Sequence, residues 1–177
     1  MRRFRLLTEN EIECRISEIA KNGSFLRLLL YKTARTDAAL LDETYGPMNW
    51  CNDYREINGK MYCGIAVRDK DGDGGWVWKW NVGTESNMEA EKGQASDAMK
   101  RAGFVWGIGT ELYSSPEIRI SADKCNIKEY NGKFRCYDRF EVEKIAYDKN
   151  EDICGLAIKC NGKRCFVWQS PKEPAGC

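Results

Sequence analysis

The chain has 177 residues, enough for one domain, or one domain with a subdomain, that buries a core without disulfide staples. Its 28 Lys and Arg stand against 27 Asp and Glu and it has no histidine. That excludes a globally basic nucleic-acid signature, every Cys/His zinc pattern and the commonest general base, so an enzyme is not expected.

No apolar run approaches the roughly 20 residues of a membrane span. The opening MRRFRLLTENEIE puts charges where a signal peptide needs its apolar stretch, so a cytosolic protein with no membrane partner is expected. The nine cysteines are an odd number, and reduced, partly buried thiols are the expectation.

Along the chain, residues 8–21 are predicted as a first helix. Thr8 and Glu11 form a capping box, and Asn22-Gly23 supplies the stop. Residues 25–31 (FLRLLLY) form a short apolar run, either a buried strand or the lead into the next helix. Residues 33–45 carry Ala38, Leu41 and Tyr45 at helical spacing, and Gly46-Pro47 ends that helix.

Three strands follow. Residues 50–57 and 60–69 flank Asn58-Gly59, a strong two-residue hairpin turn. In the second strand Met61, Cys63, Ile65 and Val67 share one face, and Tyr62, Gly64, Ala66 and Arg68 the other. In the third, residues 76–82, Trp76, Trp78, Trp80 and Val82 lie opposite Val77, Lys79 and Asn81.

An amphipathic helix rich in small residues then runs from residue 89 to a Gly-Ile-Gly break at 107–109, with a second capping box from Ser86 and Glu89. Met88, Ala95, Met99, Ala102 and Trp106 form its buried stripe. Its mid-helix glycines imply close approach to a neighbour, since each costs about 1 kcal/mol against Ala. Beyond Pro116, Asn131-Gly132 and Asn161-Gly162 are again hairpin turns, and residues 140–147, 153–160 and 164–168 alternate as strands.

Four features are weighed as sites. Asp69, Asp71, Asp73 and Gly74 mimic the start of a calcium loop, but Trp80 stands where the bidentate Glu belongs and the flanks are strand-like, so a polar hairpin loop is expected. Cys125, Cys136, Cys154, Cys160 and Cys165 lack zinc-site spacing, so no metal or other cofactor is expected. The tryptophans can be a base-stacking platform or core beneath the helix, and the alternating strand beside such a helix favours core. Tyr45 and Tyr54, nearer turns and charges, are the better stacking candidates.

Lys100-Arg101 alone is most simply a solvated pair. Its company points to a phosphate-tracking groove: Lys60, Arg55, Arg68, Lys79 and Lys92, with Arg35 in an N-terminal 35 residues that hold eight basic against four acidic groups.

Residues 30–115 resemble the single-strand annealing proteins of the Rad52 superfamily, in particular their phage, Sak-like branch. The resemblance rests on ETYGPMNW, INGKMYCGIAV, NVGTES and the block KGQASDAMKRAGFVWGIGTELY, with its Ser-Asp-x-x-Lys-Arg-Ala core. It implies a β-β-β-α core that assembles into rings or filaments, and a basic groove that holds single-stranded DNA with its bases exposed. Position by position it implies DNA contacts from Lys100 and Arg101, from Lys60 after the hairpin Asn-Gly, and from Tyr45 before the helix-ending Gly. Where eukaryotic relatives carry another Arg one turn after the pair, this chain has Phe104.

The expected fold is α+β: a three-stranded antiparallel meander packed by a core helix, with N-terminal helices and a C-terminal β extension. Residues 1–116 are expected to form the annealing core, 117–170 the extension and 171–177 a frayed tail. The expected function is binding and annealing of single-stranded DNA without ATP, for recombination and repair, encoded by a phage or prophage and acting in a bacterial cytosol. A homo-oligomer is expected, and a single-strand DNA-binding protein is a candidate partner. The alternative is an interaction or assembly protein that keeps the fold without annealing.

Overall fold

The computed structural model describes residues 4–69, 72–84 and 90–171, the side chains of residues 90–92 excepted. The chain divides into two units, residues 1–6 with 32–110 and residues 7–31 with 111–177. The fold is mixed α+β, with antiparallel strand pairing and two α-helices among the described residues.

In the first unit, α1 (Ala34–Tyr45) starts at Thr33, whose hydroxyl accepts the Thr36 N–H at 3.3 Å, and stops at Gly46, whose φ of 85° a β-carbon would disfavour. Strands β3 (Trp50–Ile57), β4 (Lys60–Arg68) and β5 (Trp76–Val82) form one antiparallel sheet in that order. Asn58 and Gly59, at φ 52° and 72°, make the two-residue turn that the sequence predicts between β3 and β4.

Helix α2 (Ala90–Val105) packs on β4 and β5. It ends in a Schellman motif: Ile108 N–H reaches the Gly103 carbonyl at 3.0 Å and Gly107 N–H the Phe104 carbonyl at 2.9 Å. The expected close approach is at Gly103, where a β-carbon would come within 2.7 Å of Asp37 Oδ1 on α1. Of the predicted stripe Met99, Ala102 and, just past the helix, Trp106 are buried and Ala95 is half-buried, with Ala98 and Gly103 buried beside them, while Met88 and the Ser86–Glu89 box lie outside the described residues.

The second unit corrects the first predicted element. Residues 8–21 are not a helix. Glu11 does take the Thr8 N–H and hydroxyl at 2.8 and 2.9 Å, but the box closes only one 3₁₀ turn, Glu9–Glu11. Strand β1 (Glu13–Ile19) follows and pairs antiparallel with β2 (Phe25–Tyr31). Asn22-Gly23, read as a helix stop, lies in the hairpin loop, with Gly23 at φ 68°. The apolar β2 run offers β1 a partner six residues away, and pairing with it outweighs a weak local helix preference.

Residues 117–170 contribute β6 (Ile118–Ser121), β7 (Lys128–Tyr130), β8 (Lys133–Arg135), β9 (Phe140–Tyr147), β10 (Ile153–Cys160) and β11 (Lys163–Gln169). Strands β7 and β8 form a hairpin of their own, and the others join β1 and β2 in a six-stranded sheet ordered β11-β10-β9-β1-β2-β6. Its core includes Leu26, Leu28, Ile118, Ile120, Leu156 and Ile158, none more than 3% exposed. Both predicted Asn-Gly turns are present, Asn131 and Asn161 each at φ 49°. Among the described residues seven cysteines are free thiols, whereas Cys154 is disulfide-bonded, which corrects the expectation of thiols throughout.

Candidate nucleic-acid interface

Register assigns every side chain of the three-stranded sheet to a face. Cys63 pairs with Asn81 and Ile65 with Lys79, so these residues share a face with Val67. That face meets α2: Trp106 Nε1 donates to the Ile65 carbonyl at 3.0 Å, and Asn81 Nδ2 to the Arg101 carbonyl at 3.2 Å. Cys63, Ile65 and Val67 are fully buried there.

The expectation that the tryptophans are core beneath the helix is therefore corrected. Trp76, Trp78 and Trp80 pair with Arg68, Ala66 and Gly64 on the opposite face, where Trp76 and Trp78 remain 39% and 40% exposed. Gly64 and Ala66 offer a helix at most one methyl group to pack on, whereas Cys63, Ile65 and Val67 offer larger apolar side chains.

Lys100 and Arg101 stand side by side near the end of α2, with side chains 26% and 42% exposed. Both face Asp97. Arg101 Nε lies 2.8 Å from Asp97 Oδ2, and Lys100 Nζ 3.7 Å from Oδ1. Asp97 Oδ2 also accepts the Thr84 N–H and hydroxyl, each at 2.9 Å. Burial pushes the Asp97 carboxyl up, but the Thr84 donors and the Arg101 guanidinium outweigh it and hold it below the usual carboxylate range.

Beneath the pair lies a buried cation. Lys32, 1% exposed, places Nζ 2.5 Å from Asp37 Oδ1 and 3.0 Å from the Lys100 carbonyl. Its ammonium also sits 4.3 Å from the centroid of the Phe104 ring, so Phe104 covers a cation here rather than supplying one. Asp37 Oδ2 has no hydrogen-bond partner. Burial drives the Asp37 carboxyl up to about 6 against the opposing pull of Lys32.

The remaining predicted residues divide. Lys79 is tied to the end of α2: its ammonium donates to the Val105 carbonyl at 3.1 Å and lies 4.4 Å from the Trp106 ring. Tyr45 is buried, 8% exposed, with its ring 5.9 Å from that of Phe4, so it offers no stacking surface. Its place before a helix-ending glycine carries no information about burial. Tyr54, 40% exposed, lies on the α2 side of β3 by its register with Cys63.

Arg55 and Arg68 are on the tryptophan face with Lys60, away from Lys100 and Arg101. The predicted cations thus occupy two faces of the sheet, not one groove. Arg35 is exposed in the first turn of α1. The Lys92 side chain lies outside the described residues.

In the loop after β4, Asp73 Oδ1 accepts the Gly75 N–H at 2.9 Å, while Asp71 lies outside the described residues. Among the described residues no group of three Cys, Asp or Glu is placed to hold a metal ion. No described helix is long and apolar enough to cross a membrane.

The buried Lys32–Asp37 pair escaped the sequence reading, and the outward tryptophans were weighed there but assigned to the core. For the pair, a Lys and an Asp five residues apart at the mouth of a helix were the only available signal.

A family model described as Rad52/22 family double-strand break repair protein matches residues 9–133, more than half of the chain. No curated protein and no solved structure matches.

Proposed function

Since the chain belongs to the Rad52/22 family of double-strand break repair proteins, with the role in DNA recombination and repair that membership carries, we propose that it binds single-stranded DNA and anneals complementary strands. The meander β3-β4-β5 with α2 is the β-β-β-α annealing core of this reading. Lys100 and Arg101 take the phosphates, and bases stay free for pairing because backbone contacts carry the affinity. Tyr54, on the α2 side of the sheet, and the exposed Arg35 are assigned to the same DNA contact in this reading. Nothing in the sequence resembles an ATPase phosphate loop, so annealing proceeds by positioning alone, without nucleotide hydrolysis.

The observation that carries this reading is the placement of the pair. Lys100 and Arg101 project from the end of a helix whose main chain, at Lys100 itself, is anchored from below by Lys32. Two adjacent cations on a fixed backbone present a constant spacing to a phosphate chain. The reading extends to a ring or filament of copies, to the phage Sak-like branch, to a bacterial host cytosol and to a single-strand DNA-binding protein as partner.

Lys100→Ala with Arg101→Ala tests it in an annealing assay with complementary oligonucleotides. Annealing is expected to be abolished while the circular dichroism spectrum is unchanged. A double variant that anneals like the parent removes the assigned site.

One observation favours the second reading, an interaction or assembly protein on the same fold: Asp97 already engages both cations. Size-exclusion chromatography at low salt separates the two. A species that ignores single-stranded DNA supports the interaction protein.

A further inference from the structure

The outward face of the three-stranded sheet is layered. A β-carbon on Gly64 would stand 2.5 Å from the Trp80 ring, so that indole lies directly on the bare backbone of β4. Trp78 and Trp80 stack, with centroids 5.5 Å and planes 19° apart. The Arg55 guanidinium sits 4.5 Å above the Trp80 ring, and that of Arg68 sits 4.5 Å above Trp76. Two of the three indoles keep about 40% of their surface exposed, which is costly for side chains of this size and marks a binding surface.

The charge on this face selects the occupant. Glu56 of β3 pairs with Met61 on the α2 side, and register places Lys60, Arg55 and Arg68 on this face with Asp53 as its single strand carboxylate among the described residues. Arg55 already engages it, at 3.1 Å. Two copies laid face to face would oppose like charges, whereas a polyanion supplies the missing counter-charge. Flat indoles and guanidinium planes are also what a nucleobase stacks on, whatever its sequence.

We propose that this face stacks the bases of single-stranded nucleic acid, as a contact separate from Lys100 and Arg101. Stacking uses the π-face of a base and leaves its pairing edge free, so the contact is compatible with annealing. The inference rests on the annealing reading for its ligand and on the tryptophan ladder for its site.

The test compares a labelled oligothymidine with an abasic strand of equal length, by fluorescence anisotropy at low salt. The parent is expected to prefer the base-bearing strand. Trp76→Ala with Trp78→Ala should weaken oligothymidine binding about tenfold and leave the abasic strand within about twofold. Trp78→Ala alone, at an exposed position, gives the same comparison if the double variant does not fold. Lys100→Ala with Arg101→Ala should weaken both strands alike.

A parent that binds both strands equally overturns this proposal alone, as do tryptophan variants that lose neither strand or both equally. A parent that binds neither strand overturns the annealing reading as well. A tryptophan variant whose sedimentation coefficient falls while base preference persists makes the face an interface between copies, which also overturns the proposal.

Discussion

The buried ammonium of Lys32 joins Asp37 of α1, 2.5 Å away, to the main-chain carbonyl of Lys100 on α2, 3.0 Å away. A charge held by one helix, from the residue before its N-cap, thereby fixes the backbone of the residue assigned to phosphate on another. Removing one partner of a buried pair leaves the other uncompensated, so Lys32→Met should cost about 3–5 kcal/mol in urea unfolding. Lys32→Met with Asp37→Ala removes both charges and should recover most of that loss. A single variant that loses less than about 1 kcal/mol would show that the pair does not hold the helices together.

Asp37 also sets a pH dependence. Its carboxyl titrates at 3.8 when unexceptional and at about 6 in the folded chain, raised first by burial. Between those values the folded state holds a proton that the unfolded state has released. The stability this confers is full below pH 3.8 and is lost as pH rises through about 6. Glu143 behaves oppositely: Arg164 holds it down at about 2, so its contribution is full above 4.5 and is lost as pH falls from there through about 2. Urea midpoints should therefore fall between pH 4 and pH 6 in the parent, and Asp37→Asn should flatten that slope. An unchanged slope would assign the titration to another group.

The elements legible in the sequence are those whose cause is local. Asn58-Gly59, Asn131-Gly132 and Asn161-Gly162 each need two residues at positive φ, which few dipeptides supply, and all three form. The capping box at Thr8 was equally local but misleading, because it can close a single turn and says nothing about the next eight residues. Their fate depended on β2, which alternation in ECRISEI alone did not reveal. Alternation also sorted Trp76, Trp78 and Trp80 onto one face without saying which face meets α2. That choice follows from Gly64 and Ala66 on a different strand. Burial of Tyr45 depends on Phe4, far away in the sequence, and the sequence carries no mark of it.

Gly64 is the most constrained glycine of the sheet. Its substitution by Ala puts a methyl group 2.5 Å from the Trp80 ring, which must lift away and take the Trp78 stack and the Arg55 contact with it. The expected cost is about 1–3 kcal/mol, the usual range for overpacking. Tryptophan emission should shift to longer wavelength as the indole becomes more hydrated. A Gly64→Ala protein with parental stability and emission would mean that the indole has another resting position at no cost.

Asp97→Asn addresses the electrostatics of the proposed groove directly. In the parent the Asp97 carboxylate is where a phosphate would be, 2.8 Å from Arg101 and 3.7 Å from Lys100. Asparagine retains an oxygen for the Thr84 N–H and removes the charge. Stability should fall by no more than about 1 kcal/mol, the range for a partly exposed ion pair. Affinity for single-stranded DNA should rise several-fold at low salt. The slope of log affinity against log salt should steepen by about 0.7 for each further phosphate neutralised. The reason is competition: cations already paired within the protein release fewer counterions from DNA than cations that are not. Anisotropy titrations across a salt series measure both quantities. If affinity is unchanged or falls while the fold is intact, Asp97 does not compete with phosphate, and its role is to hold Thr84 and Arg101 in place.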